Sequence, residues 1–423
     1  MSSNKTENKK NPYFIFKPKV LEKNYKEFEK LSQKYLEKYV ISYSVKTNSF
    51  DNVIEILDRL GSSFEVASLN EIELVNKIIK NNQINLSNDR QGALINKNKI
   101  DLSKNHDINI NNKLTDNRLI VFNGPCKTED ELKIAIDNKF LINADSLSEI
   151  NKIIKILEGK KFDIGLRVSL EESKFGFQLE MLEETINYCK KNNLNVICLS
   201  FHSGTKLNIN DYKKFIENID KIISYFKNNV NLKYIDLGGG FPDSYQLKNL
   251  GVNLKDYFKL MDKLKKFNLT IILEPGRVLV SDAFDLITKV NVIKQNFGKN
   301  YAILDAGINI LSKIALANYK FSKIENIDNI NKDIYVNDIV NQTREINSQL
   351  SMRSSSSKNL TTNVKDKKEY VLAGPLLFKN DILGKFFGNL KENDLIKIEN
   401  VGAYCYNLAW EISYKKPKIF MGE

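Results

Sequence analysis

The chain has 423 residues, of which 42% are hydrophobic and 27% are charged, and its formal net charge is +12. This composition is typical of a globular protein that is long enough to bury a sizeable core. No run of 18 apolar residues occurs, which excludes a transmembrane helix and predicts no membrane partner.

The positive charge does not indicate a nucleic-acid partner. Lysines are spread along the chain in runs no longer than two, and they alternate with Asn and Ile. The four cysteines form no CxxC pair and are accompanied by only two histidines, so the sequence predicts no zinc site. Reduced thiols and an N-terminus without an apolar signal segment together predict a cytoplasmic protein.

The first two regions are a short tail and a long alternating segment. Residues 1–19 contain the apolar stretch YFIF, which predicts a strand that pairs with a later β domain. Over residues 20–280, about eight to nine strand-like segments alternate with amphipathic helices such as LEKNYKEFEKLSQKYL. This rhythm predicts an α/β fold with a parallel sheet, most simply a (β/α)8 barrel, with a doubly wound open sheet as the alternative. The polar stretch at residues 86–116 is interpreted as an insertion.

After residue 280 the pattern changes. Segments such as NYAILDAG, EYVLAGP and LIKIENVGAY are β-like and are separated by turn residues. Residues 281–423 are therefore predicted to form a C-terminal β domain. A low-complexity insertion near residues 324–367 includes the run SQLSMRSSSSKNLTTN.

Chemically versatile residues follow several predicted strands, and a barrel collects such strand ends on one face. Lys46 lies in YSVKTN and can act as a Schiff-base nucleophile, and His202 in FHSGT can stack on a heteroaromatic ring. The glycines of DLGGGFP, residues 236–242, suit an anion. In EPGR, Arg277 suits a phosphate, whereas Glu274 can pair with a ring nitrogen. Taken singly, each of these signals has a structural alternative. Lys46 can be an exposed lysine, His202 a structural histidine, the glycines a tight turn, and EPGR a turn with a salt bridge.

Taken in order, nine motifs resemble one family. They are YSVKTN, FEVAS, SKFGF, FHSGT, DLGGGFP, EPGR, DAG, AGP and VGAY. They resemble the fold-type III pyridoxal-phosphate decarboxylases, which include the diaminopimelate, ornithine and arginine decarboxylases. The resemblance spans residues 12–415 apart from the two insertions. It implies an alanine-racemase-type (β/α)8 barrel with a C-terminal β domain, pyridoxal 5'-phosphate, an amino-acid substrate and a homodimer with shared sites.

The resemblance also implies roles for individual residues. Lys46 matches the lysine that forms the aldimine, His202 the ring-stacking histidine, and Glu274 the carboxylate on the pyridine nitrogen. Further cofactor contacts are implied for Glu65, Arg167, Thr205, Gly239, Gly240, Gly276, Arg277 and Tyr404, and substrate contacts for Lys313 and Asp381.

The substrate side departs from the family pattern. Leu377 stands where the family has a proton-donating cysteine, and Phe378 stands where it has an acid that binds the distal amino group. Lys313 and Ala317 replace an Arg and a Tyr. The predicted function is decarboxylation of an amino acid, with diaminopimelate as the default substrate. The alternatives are a substrate without a distal cation, another reaction such as racemisation, and a non-catalytic or regulatory homologue.

Overall fold

The computed structural model describes residues 12–80, 118–202, 204, 208–312, 319–325, 368–411 and 413–422. The chain forms two compact units. One consists of Pro18–Ala283 together with Asn400–Leu408, and the other of Met1–Lys17, Phe284–Glu399 and Ala409–Glu423. Both predicted insertions, residues 86–116 and nearly all of residues 324–367, lie outside the described residues.

The first unit is a closed parallel barrel of eight strands. The strands are β2 (Tyr39–Ser44), β3 (Ser63–Val66), β4 (Ile120–Phe122), β5 (Leu141–Ala144), β6 (Phe162–Ser169), β8 (Leu194–Phe201), β9 (Tyr234–Asp236) and β10 (Thr270–Leu273). Neighbouring strands follow the order β5-β4-β3-β2-β10-β9-β8-β6, and β5 pairs with β6 to complete the ring. This closure confirms the predicted barrel and rules out the open doubly wound sheet. A short strand, β7 (Phe177–Gln178), pairs with the end of β6.

Amphipathic helices connect the barrel strands. In the first of them, Leu21, Tyr25 and Phe28 recur at helical spacing and are buried on one face. A capping box between Thr128 and Glu131 starts the fourth helix. The helices are α1 (Pro18–Tyr35), α2 (Asp51–Arg59), α3 (residues 69–80), α4 (Glu129–Asp137), α5 (Leu147–Leu157), α6 (Leu182–Lys191), α7 (Ile209–Phe226), α8 (Ser244–Leu250), α9 (Leu254–Met261) and α10 (Arg277–Val280). No helix in these described residues is both long and apolar enough to cross a membrane.

The inside of the barrel has an apolar layer and a polar layer. Val121, Leu141, Cys198 and Ile272 belong to one buried cluster, although they come from strands that are not all neighbours. Two residues further along each strand stand Asn123, Asn143, Ser200 and Glu274, all of them buried. Because side chains alternate along a strand, residues two apart point to the same side. The barrel interior therefore has an apolar layer and, nearer the carboxyl ends of the strands, a polar layer.

The second unit is an eight-stranded sheet. Its strands are β1 (Tyr13–Phe16), β11 (Phe284–Asn296), β12 (Lys299–Leu304), β13 (Lys320–Ile324), β14 (Lys368–Ala373), β15 (Ile382–Gly388), β16 (Leu395–Glu399) and β17 (Lys418–Met421). The N-terminal strand β1 pairs antiparallel with β11 and parallel with β17.

Two segments differ from the expected pattern. Residues 281–283, at the start of the predicted β domain, form a 3-10 turn that follows the helical turn α10 and precedes β11. Residues 400–408, within the predicted β domain, belong to the barrel unit. The reason is a set of hydrogen bonds to the loop after β2, including Asn48 Nδ2 to the Gly402 carbonyl at 2.8 Å and Ser49 N to Asn407 Oδ1 at 2.9 Å.

A buried ion pair joins the loop after β4 to α5. Lys127 Nζ lies 2.8 Å from Glu149 Oε1, and both side chains are almost fully buried. The same ammonium donates to the carbonyls of Gly124 and Asn143 at 2.8 and 2.9 Å. One lysine thus satisfies a carboxylate and two backbone acceptors beneath the loop that follows Asn123.

We expect Lys127→Met to lower the free energy of unfolding by about 3 kcal/mol, because loss of one partner leaves a buried carboxylate uncompensated. Urea unfolding measures the change. The double variant Lys127→Met with Glu149→Leu removes both charges and should recover most of the loss. A single variant as stable as the parent would contradict the assignment of this pair.

Candidate active site

Every strand of the barrel delivers at least one polar side chain to its carboxyl end. The contributors are Ser44 and Lys46 from β2 and its following turn, Glu65 from β3, Asn123 after β4, Asn143 from β5, Arg167 from β6, Ser200 and His202 from and after β8, Asp236 from β9, and Glu274 after β10. This is the face of a (β/α)8 barrel on which ligands bind. The predicted residues Lys46, His202 and Glu274 are thus brought to one face.

Lys46 forms an ion pair with Glu65. Its Nζ donates to both carboxylate oxygens at 2.8 Å, and Ser44 Oγ donates to Oε2 at 2.6 Å. Burial alone would lower the pKa of Lys46, but the carboxylates of Glu65 and Glu274 outweigh it and raise that pKa. The Glu65 side chain is fully buried, whereas 45% of the Lys46 side chain is accessible. The ammonium group is therefore held in place on a side chain that is still partly accessible.

Glu274 and Asp236 form a buried carboxyl pair. Burial raises the pKa of both groups, and their mutual repulsion raises that of Glu274 further, well above its ordinary value. The pKa of Asp236 rises to about 6, because burial outweighs the hydrogen bonds from Gly238 N and Ser200 Oγ that lower it. Two carboxyl groups in one desolvated site bind a proton more tightly than exposed carboxylates do. Glu274 is thus a buried carboxyl group with a raised pKa.

His202 follows β8 at the accessible mouth of the barrel. A Cβ on Gly238 would lie 2.7 Å from His202 Nδ1, so the glycine-rich loop after β9 passes directly against the imidazole. Arg167 stacks on Phe175 with 4.3 Å from its guanidinium carbon to the ring centre, and it lies 3.8 Å from Asp145. These contacts hold a cation near the imidazole.

We expect His202 to titrate near pH 4 instead of near 6.5. Desolvation by the barrel wall and the positive charges of Lys46 and Arg167 lower the pKa of His202 to about 4. The imidazole is then neutral at neutral pH, as ring stacking requires. Proton NMR of the ligand-free protein checks this, since the chain has two histidines and a His106→Gln variant assigns the signals. A His202 midpoint at or above 6.5 would contradict the expectation.

Two of the predicted phosphate contacts, Gly276 and Tyr404, lie against Thr47, the residue directly after Lys46. A Cβ on Gly276 would collide with Thr47 Oγ1, so only glycine allows this close approach. Tyr404 N donates to the Thr47 carbonyl at 2.9 Å. Arg277 lies with its guanidinium carbon 5.4 Å from the Tyr404 ring centre and Nη1 4.0 Å from Asp243. Gly239 and Gly240 follow β9 in the loop that also contacts His202.

One predicted substrate residue, Asp381, is 2% exposed and lies in the β-sheet unit. Its two oxygens accept from the backbone nitrogens of Ile308 at 2.7 Å and Leu376 at 2.8 Å. Asp381 therefore braces two loops of this unit, and its contact with a substrate stays a prediction. The predicted residues Thr205 and Lys313 lie outside the described residues.

Several residues of the site escape the motif-based prediction. Asn123, Asn143 and Ser200 were not singled out, and Asp236 was noted only as the start of the glycine-rich turn. Their common signal is a polar residue two positions after an inward apolar residue on a buried strand. That alternation is present in IVFN, LIN and CLS.

The residues fit a phosphorylated pyridine aldehyde. Lys46 offers an accessible amine, His202 a neutral ring and Glu274 a buried acid for a ring nitrogen. Gly276 packs against Thr47 too closely for any Cβ, and Arg277, the next residue in the chain, supplies a cation for a phosphate. These are the groups that pyridoxal phosphate requires.

The family model for the pyridoxal-binding domain of pyridoxal-dependent decarboxylases matches residues 21–93 and 98–281, more than half of the chain. The chain belongs to the pyridoxal-dependent decarboxylases. Its cofactor is therefore pyridoxal 5'-phosphate, and its reaction is the decarboxylation of an amino acid. The family assignment made from the nine motifs is confirmed.

Similar proteins include two diaminopimelate decarboxylases. The enzyme from Vibrio cholerae is 26% identical over 94% of this chain and 84% of its own length. The enzyme from Aquifex aeolicus is 26% identical over 73% of this chain and 69% of its own length.

Solved structures show the same fold. Diaminopimelate decarboxylase from Helicobacter pylori, complexed with L-lysine, has a TM-score of 0.72 and 22% identity, and the match covers 98% of this chain and 91% of that one. Lysine decarboxylase from Selenomonas ruminantium has a TM-score of 0.68 and 21% identity, with coverages of 97% and 92%. At these identities the likeness establishes the fold alone, and it agrees with the predicted barrel followed by a β domain.

Proposed function

We propose that this decarboxylase acts on diaminopimelate or a closely related amino acid, with Lys46 as the residue that binds the cofactor covalently. The observation that carries the proposal is the accessible Lys46 amine, paired with buried Glu65 on the same barrel face as Glu274. A lysine used only for stability would have no reason to keep nearly half of its side chain accessible at a ligand-binding face.

Pyridoxal phosphate, when bound, supplies an electron sink for the bond between Cα and the carboxylate. The raised pKa of Lys46 keeps its ammonium form at neutral pH, and the nitrogen would have to lose a proton to act as a nucleophile toward an aldehyde. Glu65 accepts both hydrogen bonds from that ammonium group and is the nearest base. We assign to Glu65 the task of holding this proton.

The remaining residues would bind and orient the cofactor. Glu274 would hold a proton at the ring nitrogen, and neutral His202 would stack on the ring. Arg277, Gly276 and Tyr404 would bind the phosphate. Desolvation and Lys46 lower the pKa of His202, and the charge of Arg167, which contacts Asp145 and Phe175, lowers it further.

One observation favours a second substrate class. Leu377 is fully exposed and Phe378 is 45% exposed, and they stand where the family has a cysteine and an acid. Phe378 lies edge-on to Trp410, with ring centres 6.1 Å apart. An apolar surface in place of an acid favours an amino acid whose side chain has no distal cation.

Carbon dioxide release from a panel of amino acids distinguishes these substrates. Diaminopimelate, lysine, ornithine and arginine represent the first class, and leucine, phenylalanine and methionine the second. Release from diaminopimelate above the others supports the first proposal, and preference for an apolar amino acid supports the second. No release from any of them with the cofactor bound would overturn both, and would leave racemisation or a non-catalytic role.

We also propose that the protein is a cytoplasmic homodimer with shared sites. The family resemblance supports the dimer, and four cysteines that form no disulfide support a reducing compartment. Sedimentation equilibrium tests the assembly. A monomer with full activity would overturn the shared-site expectation.

A further inference from the structure

Asn123 bridges the two functional carboxyl groups of the site. Its Nδ2 donates to Glu274 Oε1 at 2.7 Å and to Glu65 Oε1 at 3.3 Å. The residue is buried, with 8% of its surface accessible. One amide nitrogen therefore contacts both the partner of Lys46 and the acid assigned to the ring nitrogen.

Asp236 and Asn143 set the orientation of the Asn123 amide. Asp236 is fully buried, and its carboxylate accepts hydrogen bonds from Gly238 N, Ser200 Oγ and Asn143 Nδ2, each at 2.9 Å. A carboxylate can only accept from these groups. Asn143 must therefore turn its nitrogen, and not its oxygen, toward Asp236.

The Asn143 nitrogen also donates to Asn123 Oδ1 at 2.9 Å. Its own Oδ1 is buried with no hydrogen-bond partner among the described residues, and a Cβ on Gly165 would collide with it. If the Asn143 amide were flipped, its oxygen would face Asn123 Oδ1 and Asp236 Oδ2, which are both acceptors. The loss of those two hydrogen bonds would cost more free energy than the one unpaired oxygen of the present orientation. Since Asn123 receives this bond on its oxygen, its nitrogen must face Glu65 and Glu274.

We propose that Asn123 is a positioning residue that holds the Glu274 carboxyl for the ring nitrogen of the cofactor. Asn143 and Asp236 set the orientation of its amide. A donor on Glu274 also favours the ionised carboxylate that a protonated ring requires. The inference rests on the proposed cofactor site and adds a residue to it.

Cofactor affinity is the test, measured by equilibrium dialysis of the purified full chain against pyridoxal phosphate. We expect Asn123→Leu, which keeps the volume and removes the donor, to weaken binding about 10- to 100-fold, the range for one hydrogen bond to a charged group. In a Glu274→Ala background the same substitution should change affinity by less than about threefold, because the partner is already gone. Asn143→Leu should weaken binding in the same direction, and it provides the test if Asn123→Leu does not fold.

Two controls separate positioning from general damage. Ser62→Ala removes a buried hydrogen bond at the opposite end of the barrel and should leave affinity unchanged. A benzene analogue of the cofactor, with a C–H in place of the ring nitrogen, should bind the parent and Asn123→Leu equally. A folded Asn123→Leu variant that binds pyridoxal phosphate as tightly as the parent would overturn the inference. So would a variant that loses as much affinity for the analogue as for pyridoxal phosphate. Failure of the parent to bind pyridoxal phosphate would instead overturn the proposed function.

Discussion

Lys46→Ala is expected to lower decarboxylase turnover at least about 10⁴-fold, which lies within the loss that removal of a covalent nucleophile causes in other enzymes. The reason is that the variant loses both the amine that binds the cofactor covalently and the cation that Glu65 holds at 2.8 Å. Steady-state carbon dioxide release measures the effect. The cofactor absorption that depends on a covalent bond should disappear at the same time.

Two variants control for charge and for general damage. Lys46→Arg keeps a cation for Glu65 but cannot act as the nucleophile, so it should fold and be equally inactive. Lys38 is an exposed lysine at the amino end of the barrel, and Lys38→Ala should retain full turnover. Turnover of Lys46→Ala within tenfold of the parent would refute the assigned role.

Glu274→Gln is expected to lower kcat about 10³-fold while the cofactor stays bound, which matches the loss of one preorganised electrostatic partner. Glutamine keeps the shape and the hydrogen bond from Asn123 at 2.7 Å, but it has no ionisable proton to share. The control is Glu37→Gln at an exposed site, which should leave kcat unchanged. An unchanged kcat in Glu274→Gln would show that the ring nitrogen needs no acid here.

The barrel was predictable because its signals are local. Helices such as α1 show apolar residues at helical spacing, and the strands between them are short apolar runs. Lys46, His202 and Glu274 were also predictable, since each follows such a run in a distinctive motif. The parallel pairing of the strands then brings these ends together without further information.

Other parts of the site depend on contacts between distant segments. The amide chain through Asn123 and Asn143 exists only because β4, β5 and β9 place their ends around one interior, which no single motif encodes. The contacts of Asp381 also come from distant segments. Its oxygens accept from the backbone amides of Ile308 and Leu376, a bracing role that the family motif alone does not indicate.

The most direct test of the central claim is to locate the covalent cofactor. The protein is incubated with pyridoxal phosphate and reduced with borohydride, which fixes the cofactor on the amine that carries it, and peptide mass spectrometry identifies the modified residue. We expect the modification on Lys46. The Lys46→Arg variant, treated in the same way, should carry no modification at this position. A stoichiometric modification at another lysine, or none at all, would contradict the account of this site.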